Sequence, residues 1–238
     1  MGKPTRSSDS GIVAICWDLE SANTVVLGIG IAAIDCATGD VIDQALFKSY
    51  VPGMRLDERC WREFWHDKQD ILATLEVQPS ANGLRPSFDE AQSHMIHGLM
   101  EFFMRMEKYA SDHNKELHHV SDNKSYDVGL VNVLIERYYG PDSQLPNSPT
   151  RDPVTGKHAY LSNFFETRSM QYMLLLENDP DFLKQSSWGY SKHICELWNV
   201  PLPSVIDDHN PVNDALFQLY SYRTLLQIAD GQYKLQRK

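Results

Sequence analysis

Residues 11–20, GIVAICWDLE, begin as an apolar run and end on two carboxylates. The apolar part is typical of a buried β-strand. Residues 24–34, TVVLGIGIAAI, are β-branched and apolar and predict a second strand. A turn at Gly39 then leads into a third strand over 41–51. Three consecutive strands with short connections predict an antiparallel meander.

Helical patterns follow the meander. Helices are predicted over 57–77, 88–110 (opened by a Ser87/Glu90 capping box), 127–139, 188–198 and 211–228. A short strand is predicted over 117–121, and residues 164–176 are expected to begin as a strand and turn into a helix. Strands that precede helices, with further strands among them, predict an α/β fold in which helices flank a mixed sheet.

The bulk composition fits one domain. With 238 residues and an apolar fraction of 42%, the chain can bury a substantial core. Residues 1–10 are polar and predict a disordered lead-in to a single domain over 11–238. Scattered cysteines and the lack of a long apolar run favour an intracellular, cytoplasmic protein that does not enter a membrane. The net charge of −10 argues against a broad basic surface for long duplex nucleic acid.

Carboxylates occur at places that a fold could bring together. Asp18 and Glu20 end the first strand, and side chains two residues apart on a strand point the same way. Asp127 falls in the first turn of a helix, where the helix dipole favours a carboxylate in any protein. Clustered carboxylates can hold a hard cation such as magnesium or manganese.

The last predicted helix opens on residues 209–214, HNPVND. Asn210 is a good N-cap residue, and Pro211 suits the first helical position. His209 then lies just outside the helix and Asp214 lies in its first turn. Both side chains can therefore face one site.

Each of these pairs has an ordinary alternative explanation. With 32 acidic residues and 9 histidines, chance gives about one Asp-x-Glu and about one His-x4-Asp. Exposed strand-end carboxylates, a helix-capping aspartate and a surface histidine would produce the same pattern. The order favours a shared site: Asp-x-Glu ends the first strand, Asn-x-x-Tyr-Asp follows a central strand, and His-x4-Asp opens the last helix.

In this combination the chain resembles the DEDDh group of 3′→5′ exonucleases, within the RNase T-like superfamily, which has an RNase H-like fold. The motifs that carry the resemblance are Asp18-x-Glu20, Asn123-x-x-Tyr126-Asp127 and His209-x4-Asp214. They span nearly the whole chain. The segment 61–69 is also similar to one branch, that of phage exonucleases and small bacterial exoribonucleases. Two departures are Ser21, where the family usually has Thr, and an unusually long loop over 140–160.

The resemblance implies two divalent cations, Mg²⁺ or Mn²⁺, held by four carboxylates. Asp18 would bridge both ions. Glu20 and Asp214 would complete one site, and Asp127 would act on the second. His209 would be the general base that takes a proton from the attacking water, a role suited to an imidazole. The product would be a nucleoside 5′-monophosphate.

The 3′ end of a single-stranded nucleic acid is the implied partner. Candidate contacts to the terminal nucleotide are the backbone of Ser21, Ala22 and Asn23, the motif residues Asn123 and Tyr126, and Trp65 as a stacking platform. Trp17 and Phe165 are further stacking candidates, although core packing is the stronger explanation for all three aromatic residues. Lys124, Arg168 and Lys192 are either phosphate contacts or, more commonly for such residues, solvated surface.

The sequence alone is compatible with three functions. The leading interpretation is hydrolysis of single-stranded RNA or short oligoribonucleotides. The same chemistry on single-stranded DNA is the closest alternative, because nothing in the sequence reads a 2′-hydroxyl. A catalytically silent nucleic-acid-binding protein of the same fold is the third. A homodimer is a further expectation from the family, and Asp207-Asp208 have no assigned role.

Overall fold

The computed structural model describes residues 11–140, 164–186, 189–203 and 209–236, apart from the side chains of Lys124 and Ser125. Several features expected from the sequence lie outside what is described. They are the lead-in at 1–10, most of the 140–160 loop, Asp207-Asp208 and the suggested phosphate contact of Lys124.

A five-stranded mixed sheet forms the centre of the described structure, with the strand order β3-β2-β1-β4-β5. The strands are β1 (Ile12–Ala22), β2 (Val25–Asp35), β3 (Val41–Lys48), β4 (Glu116–Ser121) and β5 (Phe164–Glu166). The first three pair antiparallel, which confirms the meander. Strand β4 runs parallel to β1, and β5 runs parallel to β4. The predicted α/β class, a mixed sheet flanked by helices, is confirmed.

Eight α-helices accompany this sheet in the described parts of the chain. They are α1 (Glu58–Glu63), α2 (Gln69–Thr74), α3 (Phe88–Asp112), α4 (Lys124–Tyr139), α5 (Thr167–Asn178), α6 (Pro180–Gln185), α7 (Tyr190–Trp198) and α8 (Pro211–Ala229). The capping box at Ser87 and Glu90 is confirmed. Helix α6 was not predicted; the Asp179 side chain caps it by accepting a hydrogen bond from the Phe182 N–H. None of the helices seen here is long and apolar enough to cross a membrane.

The single helix predicted over 57–77 is wrong. The chain forms α1, then a 3₁₀ turn at Trp65–Asp67, then α2. The break falls at Phe64, whose backbone angles are φ −137° and ψ −62°. It allows Trp65 to turn inward, where its indole N–H donates to the Ser21 carbonyl at 3.1 Å. Tertiary packing of one aromatic side chain has overridden the local helical pattern.

The two faces of β1 have different partners, because alternate side chains point to opposite faces. Ile15 and Trp17 pack into a core with residues of α3 and α4. Ala14 and Cys16 pack on the other face, in a second core with residues of α8. Asp18 and Glu20 continue this second row. Both carboxylates therefore point to the side of the sheet that α8 covers.

Helix α8 approaches the sheet very closely at Gly30, which lies opposite Asp18 in the register between β1 and β2. A Cβ atom on Gly30 would lie 2.1 Å from the carbonyl carbon of Pro211 and 2.3 Å from the nitrogen of Val212. Glycine, which has no Cβ, permits this contact. The first turn of α8 is thereby placed on β2 next to Asp18.

Replacing Gly30 by alanine is expected to lower the free energy of unfolding by about 1–3 kcal/mol, because the added methyl group must displace main-chain atoms of α8. Urea unfolding followed by circular dichroism measures this change. Gly129→Ala is the matched control: Gly129 lies within α4, and no heavy atom comes within 4 Å of a Cβ built there. Alanine at that position should stabilise the protein by about 0.5–1 kcal/mol. Unchanged stability of the Gly30→Ala protein would contradict the close contact.

Candidate metal centre

Three of the predicted residues form a compact group of ligands. Glu20, His209 and Asp214 each offer an atom within 4.8 Å of the other two. Two oxygen or nitrogen atoms that share one cation at 2.0–2.6 Å lie at most about 5 Å apart, so this spacing fits a single divalent ion. The residues come from the end of β1, the connection before α8 and the first turn of α8. The sequence places them almost 190 residues apart, and the close contact at Gly30 brings them together.

Asp18 belongs electrostatically to the same cluster. Its pKa is raised well above the ordinary range, first by burial and then by the charges of Asp127, Asp214, Glu20 and Asp122. Asp18 is therefore within electrostatic range of each of the other three predicted carboxylates. Among the described residues, the 4.8 Å group itself includes neither Asp18 nor Asp127.

Asp127 lies at the start of α4 and is almost fully buried. The Ser121 hydroxyl, at the end of β4, donates to its carboxylate at 3.0 Å. Burial and the charge of Asp122 nevertheless raise the pKa of Asp127 to about 7, against the opposing hydrogen bonds from Ser121 and the Asn123 backbone. Asp122 was missed by the sequence reasoning. Its position directly after a predicted strand, five residues before Asp127, was the available signal.

The donor set suits hard divalent cations. Carboxylate oxygens are the ligands that Mg²⁺ and Mn²⁺ prefer. A raised pKa in several neighbouring carboxylates means that their negative charges repel one another and that burial disfavours each of them. Such a cluster gains free energy from any cation that neutralises it, which is the behaviour expected of a metal centre.

His209 lies outside α8, as predicted. Helix α8 begins at Pro211, and the Asn210 side chain caps it by accepting from the N–H groups of Val212 and Asn213. His209 is exposed and has a left-handed backbone, with φ +63°. Its ring meets the Phe64 ring edge-on, with centroids 5.4 Å apart. Phe64, which lies in the segment predicted as one helix over 57–77, is therefore a neighbour of the site.

The connection between β1 and β2 is held from two sides. The Tyr126 hydroxyl donates to the Asn23 carbonyl at 3.1 Å. Since that hydroxyl has one proton, it accepts the second hydrogen bond, 2.5 Å long, from the Ser21 hydroxyl. The Trp65 indole holds the Ser21 carbonyl from the other side. Ser21 thus contributes both its hydroxyl group and its carbonyl oxygen to the hydrogen bonds that hold this connection.

The suggested stacking role of Trp65 does not agree with the structure. Trp65 is 0% exposed and packs with Ala22, Leu27 and Leu72, so neither face of its ring is open to a base. Trp17 is likewise buried, edge-on to Phe103 and Phe164.

The other suggested contacts lie in different surroundings. Phe165 packs against His118 and Tyr222. Ala22 is fully buried, which leaves only its backbone as a contact. Asn123 and Tyr126 are exposed at the start of α4.

Comparisons with known proteins add little. No family model and no curated protein sequence matches the chain. A solved structure that it resembles is the nuclease domain of 3'hExo, a DEDDh family member, bound to rAMP. The match covers 98% of this chain and 100% of that chain, with 9% sequence identity and a TM-score of 0.43. A likeness at this TM-score is too slight to support an assignment of function, which has to rest on the geometry of the site.

The raised pKa of Asp127 gives a testable pH dependence. Between the ordinary pKa near 3.8 and the folded value of about 7, the folded protein holds a proton that the unfolded chain has released. The stability of the cation-free protein should therefore fall as the pH rises through this window, by up to about 1.4 kcal/mol per pH unit for one proton. Asp127→Asn cannot ionise and should flatten the slope.

Urea unfolding in EDTA at pH 4.5, 5.5, 6.5 and 7.5 measures this slope. Asp112→Asn is the control, because Asp112 is an exposed carboxylate at the end of α3, paired with Lys108 at 2.6 Å. A slope that is the same in the Asp127→Asn and unaltered proteins would show that Asp127 is charged throughout.

Proposed function

We propose that this protein is a metal-dependent 3′→5′ exonuclease of the DEDDh type that releases nucleoside 5′-monophosphates from single-stranded RNA or short oligoribonucleotides. The observation that supports it most is the group formed by Glu20, His209 and Asp214, whose ligand atoms lie within 4.8 Å of one another. Asp18, which is coupled to Asp127, lies in the same electrostatic cluster. These two observations support the proposal that the three sequence motifs that carry the DEDDh resemblance act at one site.

The four carboxylates are the residues that would hold two divalent cations. Glu20 and Asp214 would hold one ion, Asp127 would lie toward the second, and Asp18 would serve both. When bound, Mg²⁺ or Mn²⁺ supplies the positive charge that neutralises the cluster and lowers the pKa of a water molecule. The raised pKa values of Asp18 and Asp127 support this role, since they indicate a site with excess negative charge.

His209 is suited to proton transfer because it is the exposed member of the 4.8 Å group. In the proposed reaction its imidazole takes a proton from the attacking water. The carboxylates of Glu20 and Asp214 then stabilise the imidazolium through their negative charge. The edge of the Phe64 ring restricts the orientations of the imidazole.

The connection between β1 and β2 is the proposed seat of the 3′ end. Its backbone is fixed next to Glu20 by the hydrogen bonds from Tyr126 and Trp65. Tyr126 is 41% exposed and lies in the same turn of α4 as Asp127. In place of Trp65, Tyr126 is therefore the proposed stacking surface for the terminal base.

Asp18→Asn is expected to abolish Mg²⁺-dependent hydrolysis, because it removes the charge at the middle of the carboxylate cluster. The assay uses matched single-stranded RNA and DNA of one sequence, labelled at either end. A 5′ label should give a descending ladder, a 3′ label should be released first as a mononucleotide, and RNA should be cut faster. Asp112→Asn should behave as the unaltered protein.

Each arm of this assay can contradict a separate part of the proposal. Full activity of the Asp18→Asn protein would contradict the proposed metal centre. A ladder that shortens from the 5′ end would reverse the polarity. Faster cleavage of the DNA strand would change the substrate to single-stranded DNA, and binding without any hydrolysis would leave a catalytically silent nucleic-acid-binding protein.

The His209→Gln variant tests whether His209 acts as a general base or as a metal ligand. Loss of the general base should lower kcat by about 10²–10⁴-fold, while the affinity for Mn²⁺ measured by isothermal titration calorimetry is retained. His113→Gln is the control, since His113 caps α3 and stacks on the Tyr109 ring. If Mn²⁺ affinity falls as steeply as kcat, His209 is a metal ligand and the assigned proton transfer is wrong.

A further inference from the structure

A pocket of about 180 Å³ opens beside the candidate metal centre. Its walls come from α5, α7 and α8 and from Asp122, which follows β4. Asp122 belongs to both places, because its charge raises the pKa of Asp18 and of Asp127. The pocket is therefore the immediate neighbour of the carboxylate cluster, on the side of β4 and β5.

Two cationic side chains line this pocket although they come from different helices. Arg168 lies in the first turn of α5, and Lys192 lies in the first turn of α7. Both side chains are exposed. In a chain with a net charge of −10, this pocket is lined by two cations and one carboxylate, that of Asp122. A guanidinium presents a planar fork of donors that matches the oxygen atoms of a phosphate, and an ammonium adds a point charge.

Part of the remaining wall is polar and held by hydrogen bonds, and Tyr190 and Phe217 supply an apolar part. Gln171 is 6% exposed, and its amide donates to the Ser191 hydroxyl at 2.7 Å. Thr167 is fully buried and donates to the side-chain carbonyl of Gln218 at 2.8 Å. That bond engages the side-chain carbonyl of Gln218, which also lines the pocket. Fixed amide and hydroxyl groups with two cations at the rim are typical of a site for an oxyanion.

The volume of the pocket indicates the size of the ligand that it can hold. Pockets for drug-sized molecules usually have volumes of about 300–1,000 Å³, larger than the 180 Å³ found here. A phosphate with part of its sugar fits this space.

We propose that this pocket binds a backbone phosphate of the nucleic-acid strand, with Arg168 and Lys192 as its cationic contacts. The inference rests on the proposed exonuclease function, in which the 3′ end lies at the metal centre. Every additional contact along the strand is then on the 5′ side of the bond that is cut. Asp122, on the wall next to the metal centre, repels the phosphate toward the two cations. The pocket sets the path of the strand and favours substrates longer than one nucleotide.

The test combines binding and hydrolysis in the double variant Arg168→Ala/Lys192→Ala. Binding of a fluorescein-labelled single-stranded decanucleotide is measured by anisotropy with CaCl₂ in place of MgCl₂, over a series of NaCl concentrations. The slope of log K against log salt should become shallower by about 0.7 for each cation removed. Lys184→Ala is the control, since Lys184 is an exposed cation on α6 paired with Asp181 at 2.7 Å.

Hydrolysis is compared between the decanucleotide and thymidine 5′-monophosphate p-nitrophenyl ester, which carries a single phosphate. The ratio of kcat/KM for the two substrates should fall about tenfold in the double variant, the size expected for loss of a charged contact. Arg168→Lys/Lys192→Arg keeps both charges and should restore most of the salt slope. Thermal unfolding of each variant confirms that it folds.

The outcomes separate this proposal from the exonuclease proposal. If the double variant keeps the affinity, the salt slope and the kcat/KM ratio of the unaltered protein, the phosphate site is wrong. An equal loss on both substrates, with a lower Tm, also overturns it, because the two residues would then act only on folding. If the unaltered protein hydrolyses neither substrate but the double variant loses affinity and slope, the phosphate site stands and the exonuclease function fails.

Discussion

The contact between Gly30 and the first turn of α8 is the constraint on which the site depends. Residues of β1 and α8 that are far apart in sequence meet only if the helix start lies directly on the sheet. A side chain on Gly30 would overlap main-chain atoms of Pro211, so no rotamer change could accommodate it. The same contact determines that Asp214 points back to β1 and that His209 lies at the rim. The absence of a Cβ atom at Gly30 therefore determines the geometry of a centre that consists of large polar side chains.

The clustering of carboxylates at this place is electrostatically unfavourable for the folded protein. Carboxylates that are buried together repel one another, and burial removes the water that would solvate them. The elevated pKa of Asp18 and of Asp127 reflects this unfavourable free energy of ionisation. At neutral pH the cluster can lower its free energy by holding protons or by binding cations. A fold stabilised by packed apolar cores on both faces of the sheet can tolerate such a cluster at one edge.

Much of this arrangement follows from the sequence because its signals are local. The alternation of side chains along β1 puts Asp18 and Glu20 on one face, and Asn210-Pro211 sets the start of α8. The signals that failed depend on tertiary contacts. Burial of Trp65 and the break at Phe64 arise from packing against the connection between β1 and β2, which no helical period records. The participation of Asp122 and the meeting of Arg168 with Lys192 depend equally on how separate elements pack.

The hydrogen bonds of Ser21 connect the carboxylates to the proposed seat of the 3′ end. Tyr126 ties the start of α4 to the connection that follows Glu20, and Trp65 ties that connection to the segment between α1 and α2. Phe64, next to Trp65, touches His209, so that segment also reaches the start of α8. A displacement of any one of these elements must move the others. These contacts hold the proposed metal ligands, the proposed base and the proposed seat of the 3′ end in fixed relative positions, as in-line attack on a bound phosphodiester would require.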